Sequence, residues 1–155
     1  KPEEFTTLAS FYLYKKNPAM SAKVLENAIT DDQILFDSKN AKLLSDSWLF
    51  AKERIKSLDV IEESLSMNPN EEKLVNQYVN IAFSAFEWKE VINGIRKAEK
   101  IGIEDDGKHD LMIGIAFFET KDLKNAEDSF IKASKSKKYA DQGKAWLEYL
   151  NALKA

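Results

Sequence analysis

The sequence predicts an all-α protein made of stacked antiparallel helix pairs. Three observations predict it. Gly (5) and Pro (3) are scarce among 155 residues, which argues against long hairpin-rich β architecture. Apolar residues recur at helical spacing in bursts of about 12–15 residues, separated by roughly two to five polar ones. Consecutive short helices with such short links form antiparallel pairs. The pairs also repeat: equivalent residues start new registers at positions 2, 38, 72 and 107, spaced by 36, 34 and 35.

Each register carries its own apolar residues. The first starts at Pro2 and places Leu8, Ala9, Tyr12, Ser21, Leu25 and Ala28. From Ser38 the same offsets hold Leu44, Ser45, Trp48, Ser57, Ile61 and Ser64, followed by Pro69. From Glu72 they hold Tyr78, Val79, Ala82, Trp88, Val91, Ile95 and Ala98. From Gly107 they hold Ile113, Gly114, Phe117, Leu123, Ala126, Phe130 and Ala133. A last helix over 141–155 puts Trp146, Tyr149, Leu150 and Leu153 on one stripe. Small residues (Ala9, Ser45, Ala98, Gly114, Ala126, Ala133) sit where two helix axes must come close. Large ones (Leu25, Trp48, Ile95, Phe130) fill the space between pairs. One pair cannot bury its own apolar face, so neighbours must stack.

This pattern resembles the tetratricopeptide repeat (TPR), whose helix pairs carry Leu-Gly, Tyr, Ala, Phe, Ala and Pro at fixed offsets. Ile113-Gly114, Ala126, Phe130 and Ala133 carry it best, and Met67-Asn68-Pro69 closes the second repeat in the family's manner. The resemblance implies a right-handed α-solenoid. Its repeats would be 2–37, 38–71, 72–106 and 107–140, with a C-terminal capping helix over 141–155, in one domain. The sequence departs from the family in two places. The intra-repeat Gly is absent, with Asn17-Pro18 and Lys121-Asp122 standing in. Ser57 and Ser64 occupy positions usually held by Ala.

Leu8-Ala-Ser-Phe-Tyr-Leu-Tyr, Gly114-Ile-Ala-Phe-Phe and Trp146-Leu-Glu-Tyr-Leu also resemble a group of bacterial repeat proteins. These are the TPR proteins of marine proteobacteria that accompany TonB–ExbB–ExbD energy-transduction systems. That resemblance implies a periplasmic accessory of such a system; the cytoplasm is the alternative. The chain begins at Lys1 rather than Met, and no signal-peptide pattern precedes the first helix. It is therefore expected to be a piece of a longer protein.

Composition narrows the function. Hydrophobic residues (44 %) and charged residues (32 %) stand in globular proportion. The net charge of −3 lacks the basic footprint of a nucleic-acid binder, so no nucleic-acid partner is expected. No apolar run reaches the ~18 residues of a transmembrane segment. With no Cys there is no disulfide, thiolate metal site or Cys nucleophile. His109 is the only His, and it stands near a helix start as an ordinary surface residue. No Gly-rich phosphate loop or nucleophile elbow is present. The chain is expected to be no enzyme and to hold no cofactor or metal.

The expected function is a non-enzymatic protein–protein interaction scaffold. In a TPR solenoid the first helix of each pair lines the concave groove, where positions 2, 5, 9 and 12 share a face. Those positions read Glu3, Thr6, Ser10, Leu13; Lys39, Lys42, Asp46, Leu49; Lys73, Asn76, Asn80, Phe83; and Lys108, Leu111, Ile115, Phe118. The adjoining position adds Tyr14, Phe50, Gln77 and Met112. Lys42, Asp46, Leu49, Asn76, Asn80, Phe83, Ile115 and Phe118 are the candidate contacts for a peptide or partner domain. Asn76, Gln77 and Asn80 form an amide strip suited to an extended backbone. Some family members clamp a peptide carboxylate. Lys42 with Lys73 or Lys108 fits that role, whereas Asp46 and Met112 oppose it. The alternative is a homo-oligomerising module using the apolar groove or the Ile34-Leu35-Phe36 loop, which otherwise plugs the seam between repeats one and two. Lys132, Lys135, Lys137, Lys138 and Lys144 read as a solvated helix end, where cations suit the dipole.

The register makes a direct prediction. Phe130→Ala empties a core site and lowers unfolding free energy by ~3–5 kcal/mol, whereas Phe83→Ala costs far less. Denaturant melts of the two variants check this, and equal large losses would place Phe83 in the core.

Overall fold

A computed structural model describes residues 1–155. The chain folds into nine α-helices and no strand: α1 (Pro2–Tyr14), α2 (Pro18–Thr30), α3 (Ser38–Phe50), α4 (Arg54–Met67), α5 (Glu72–Ser84), α6 (Trp88–Lys100), α7 (Lys108–Glu119), α8 (Leu123–Ser134) and α9 (Ala140–Lys154). They gather into two compact units, Lys1–Ala85 and Phe86–Ala155. In the first unit each helix from α1 to α5 packs on the next; in the second the same holds from α6 to α9.

Helix starts follow from capping chemistry. Asn17, Asp37 and Asp122 each accept a backbone N–H of the first turn, at 3.3, 2.8 and 3.2 Å. These bonds satisfy donors that a helix start leaves unpaired. Pro18 stands at the first helical position after Asn17, where its missing N–H costs nothing. The hydrogen bonds with Asn125 hold the Asp122 carboxyl below its ordinary range.

The turns within pairs are solved without glycine. Lys16, Lys52, Phe86 and Lys121 all have positive φ, between 57° and 68°. At Lys16, Lys52 and Lys121 two backbone bonds close the preceding helix end. At Lys16, for example, its N–H reaches the Leu13 carbonyl at 2.9 Å and that of Asn17 reaches Tyr12 at 2.8 Å. This is the Schellman arrangement, usually completed by Gly because a Cβ in the left-handed region costs about 1–2 kcal/mol.

The first unit has a core of Ala9, Ala22, Leu25, Ala28, Ile34, Leu44 and Trp48. Serines take several of the close-approach positions. Ser21 and Ser47 hydroxyls join α2 to α3 at 2.9 Å. Ser45 joins α3 to α4, 2.8 Å from the Ser57 hydroxyl and donating to its carbonyl at 3.0 Å. A buried polar atom is tolerated when it is bonded. Ser64 departs from that rule: its Oγ is buried without a partner.

The second unit is built around aromatic rings. Phe130 is fully buried and stacks on Trp146, with centroids 5.1 Å apart and planes 9° apart. Gly114 makes room for that ring, since a Cβ there would lie 2.5 Å from Phe130 Cε1. Gly143 does the same for backbone: its Cβ would meet the Ser134 nitrogen at 2.5 Å, so α8 and α9 touch main chain to main chain. Lys154 Nζ reaches Glu127 Oε2 at 2.7 Å and fastens the end of α9.

Not every expected apolar residue is inside. Leu8 and Phe11 of α1 are exposed. The Ile34-Leu35-Phe36 loop is divided: Ile34 is buried in the core, Phe36 is half-buried and Leu35 faces water.

Two substitutions test this description. Ser64→Ala removes an unpaired buried hydroxyl and is expected to raise stability by about 1 kcal/mol. Lys121→Gly relieves a left-handed Cβ and is also expected to stabilise by about 1 kcal/mol, after the extra unfolded-chain entropy of Gly. Chemical denaturation of each single variant reads both effects.

Candidate functional site

The first helices of the second and third pairs, α3 and α5, make direct contact within the first unit. The contact follows from side-chain bonds as well as packing. Ser38 at the start of α3 donates to Glu71 Oε2 at 2.6 Å, just before α5. Gln77 Nε2 of α5 donates to Asp46 Oδ1 of α3 at 3.0 Å. Lys42, one helical turn before Asp46, holds its other oxygen at 2.8 Å. Both oxygens of Asp46 are thus engaged, one by a cation and one by an amide. The carboxylate that opposes a carboxylate clamp is in this way partly neutralised by its own neighbours.

Beside this bridge lies an open depression of about 650 Å³. Lys42, Asp46, Leu49, Lys73, Asn76, Gln77 and Asn80 line it, with Arg54, Ile81 and Ser84. Five of the eight expected contact residues (Lys42, Asp46, Leu49, Asn76 and Asn80) therefore share one surface. Leu49 and Ile81 supply an apolar floor, and the amides and cations form the rim. Arg54 opens α4 and was not anticipated, since the positional pattern looks only at first helices. Three cations against one engaged carboxylate leave this surface positive on a chain whose net charge is −3.

The other three expected residues are placed differently. Phe83 is half-buried one turn beyond Asn80 and does not line the depression. Ile115 and Phe118 belong to the second unit, and both are half-buried. Phe118 lies against the closing helix, with its ring 5.3 Å from Trp146 and 5.7 Å from Tyr149. Met112 is buried, and Leu111 half-buried. The expected C-terminal apolar run thus contributes part of its surface to packing in its own unit, because α9 supplies rings that the positional pattern did not consider.

The lysine cluster also acquires partners. Asp105, Asp106, Asp110, Lys132, Lys135, Lys137 and Lys138 surround one open depression of the second unit, of about 750 Å³. Lys138 Nζ lies 3.3 Å from Asp106 Oδ2. Desolvation works against ionising Asp106, but the hydrogen bond and charge of Lys138, with backbone N–H bonds, outweigh it and hold the carboxyl below its ordinary range. Burial pushes Asp110 above its usual range, with Lys132 acting against the shift. Asp105 accepts the backbone N–H groups of Gly107 and His109, at 3.1 and 2.8 Å. The charges here largely answer one another. No group of three His, Asp or Glu side chains is placed to hold a metal ion, and no helix is long and apolar enough to cross a membrane.

Short helices that each pack on the next within their unit, with α3 beside α5, define an all-α, TPR-like architecture. Solved structures agree. A MamA double mutant of strain RS-1 matches at 12 % identity with a TM-score of 0.77, over 99 % of this chain and 84 % of that one. The "41-end" form of MamA from Desulfovibrio magneticus RS-1 matches at 12 % identity and a TM-score of 0.75, over 99 % and 85 %. MamA of strain MSR-1 matches at 15 % identity and 0.69, over 100 % and 79 %. At such identities the likeness shows the fold. No known family's sequence model matches the chain, and no curated protein matches it.

Proposed function

We propose that the chain is a protein-interaction module that docks an extended, acidic peptide segment on the α3–α5 face. The observation that carries this reading is the lining of the depression. Lys42, Arg54 and Lys73 surround three amide side chains over an apolar floor, and the single carboxylate is already bonded. Amides pair with the N–H and C=O groups of an extended backbone, and cations select acidic side chains. The TPR-like fold supports a scaffold over an enzyme, because it holds such faces on rigid helices.

The finer assignment rests on sequence resemblance alone. The Leu8–Tyr14 and Trp146–Leu150 stretches support a periplasmic role beside a TonB–ExbB–ExbD system, whose components would then include the partner. Photo-crosslinking from position 80 in the chain's own cells tests this assignment. An adduct with a TonB- or ExbD-type protein supports it, and adducts confined to unrelated proteins overturn it.

The docking reading has its own test. A labelled Asp/Glu-rich peptide is expected to bind with micromolar affinity by fluorescence anisotropy, more weakly as salt rises. Lys73→Glu is expected to weaken binding about tenfold by reversing one rim charge. Binding unchanged in Lys73→Glu and in Asn76→Ala would move the peptide away from this face.

A further inference from the structure

The charges of the first unit sort by edge rather than by helix. Consecutive helices run antiparallel, so the turns inside the α1–α2 and α3–α4 pairs lie at one end of the helices. The links between pairs lie at the other end. The turn edge carries Lys15, Lys16, Lys52, Arg54 and Lys56 against one acid, Glu53. The link edge carries Asp31, Asp32, Asp37, Glu71 and Glu72 against Lys39 and Lys73. Helix dipoles do not account for this pattern. They favour acids at helix starts and bases at helix ends, and α2 and α4 run opposite to α1 and α3. Yet α4 opens on the turn edge with Arg54 and Lys56 and no acid in its first turn. Likewise α2 ends on the link edge at Asp31 and Asp32, with no base in its last turn. One sign extends across helix ends of opposite polarity, so it is a property of the surface.

Apolar side chains share the basic edge. Tyr14 and Phe50 end α1 and α3 at the same repeat position and are 80 and 68 % exposed. Met20 and Ile55, in the first turns of α2 and α4, are exposed as well. Leu13, Lys16, Pro18 and Phe50 border one cleft of about 360 Å³, which sets the two turns side by side. Phe50 stays open although α2 packs on α3, so exposure at this position belongs to the edge of the stack. None of the five cations forms an ion pair. Lys16 and Lys52 stand at φ 57° and 64°, where Gly is unstrained, so turn closure itself asks for no cation there.

Exposed aromatic rings set among cations suit a bilayer surface. The rings settle at headgroup level, and Lys and Arg attract anionic headgroups around them. An extended peptide would want free amides. The one amide side chain at these turns, Asn17, is committed to capping α2 through the Met20 N–H. We infer that the turn edge of the first unit, residues 14–20 and 50–56, docks on an anionic lipid bilayer. This does not rest on the peptide-docking reading; of these residues only Arg54 also lines the α3–α5 depression.

Flotation of the whole chain with vesicles tests it. The chain is expected to float with vesicles of phosphatidylglycerol and phosphatidylcholine at low salt, not with phosphatidylcholine alone, and to be released as salt rises. Lys16→Gly combined with Lys52→Gly is expected to lower partitioning about tenfold or more. The same change removes two left-handed Cβ atoms, so the weaker binding does not come from unfolding, and a denaturant melt checks this. Tyr14→Ser combined with Phe50→Ser is expected to weaken partitioning about tenfold as well. Lys39→Glu, on the link edge, is expected to leave it within about twofold of the parent, because the charge there lies away from the bilayer. No flotation with anionic vesicles at low salt would overturn the inference. So would equal losses in Lys39→Glu and in the double Gly variant, which would make the binding a matter of overall charge. Binding of soluble polyglutamate at this edge, with vesicles left unbound, would give the edge to an acidic protein and overturn it too.

Discussion

A helix hairpin of some thirty residues has more apolar surface than it can hide in itself. Every other feature of this molecule follows from that constraint. The hairpins must lie against one another, and they can do so only where side chains are small enough for helix axes to approach. Ala9, Ala22, Ala28, Ala82, Ala98, Ala126 and Ala133 are such positions, all buried to 2 % exposure or less. Gly114 and Gly143 go further, because a ring or a peptide plane occupies the space a Cβ would take. Once the axes are close, the large residues between them have one place to go, and Leu25, Ile61, Ile95 and Phe130 are sealed there.

The same constraint explains where a docking face can exist. Packing consumes one side of each helix, and α3 and α5 are left side by side with a free side turned outward. Residues on that side answer to solvent and to each other. Lys42, Asp46 and Gln77 form a bridge between α3 and α5 that fixes spacing without apolar contact. Its value as an exposed pair is small in energy. Its consequence is electrostatic: the one carboxylate lining the depression beside Leu49 and Ile81 has both oxygens engaged.

The fold class was legible because spacing survives divergence. Small and large residues recur with the period of the hairpin, and that needs no partner to be read. Surface placement was legible only where one helix decides it. Asn76 and Asn80 are placed by their own helix, and they line the depression. The packing of Phe118 was not legible, because its neighbours, Trp146 and Tyr149, come from a helix some thirty residues away. Arg54 was missed because it enters from the second helix of a pair. Leu8 and Phe11 show the limit from the other side. Their spacing is that of buried residues, yet both are exposed, which spacing within one helix does not state. The turns were half legible: the missing glycines were visible, but the left-handed lysines that replace them are a backbone property.

The serine pairs of the first unit carry a thermal consequence. Ser21, Ser45, Ser47, Ser57 and Ser64 fill its close-approach sites, whereas the second unit buries only Ser129 and relies on rings and methyl groups. Unfolding a hydroxyl-lined seam exposes less apolar and more polar surface, and the two contribute to heat capacity with opposite sign. Area for area, the serine-lined seams of the first unit therefore add less to the heat capacity of unfolding than the ring-packed seam around Phe130. One repeating plan is closed by two kinds of seam, and the seam, not the plan, sets the sign of each contribution.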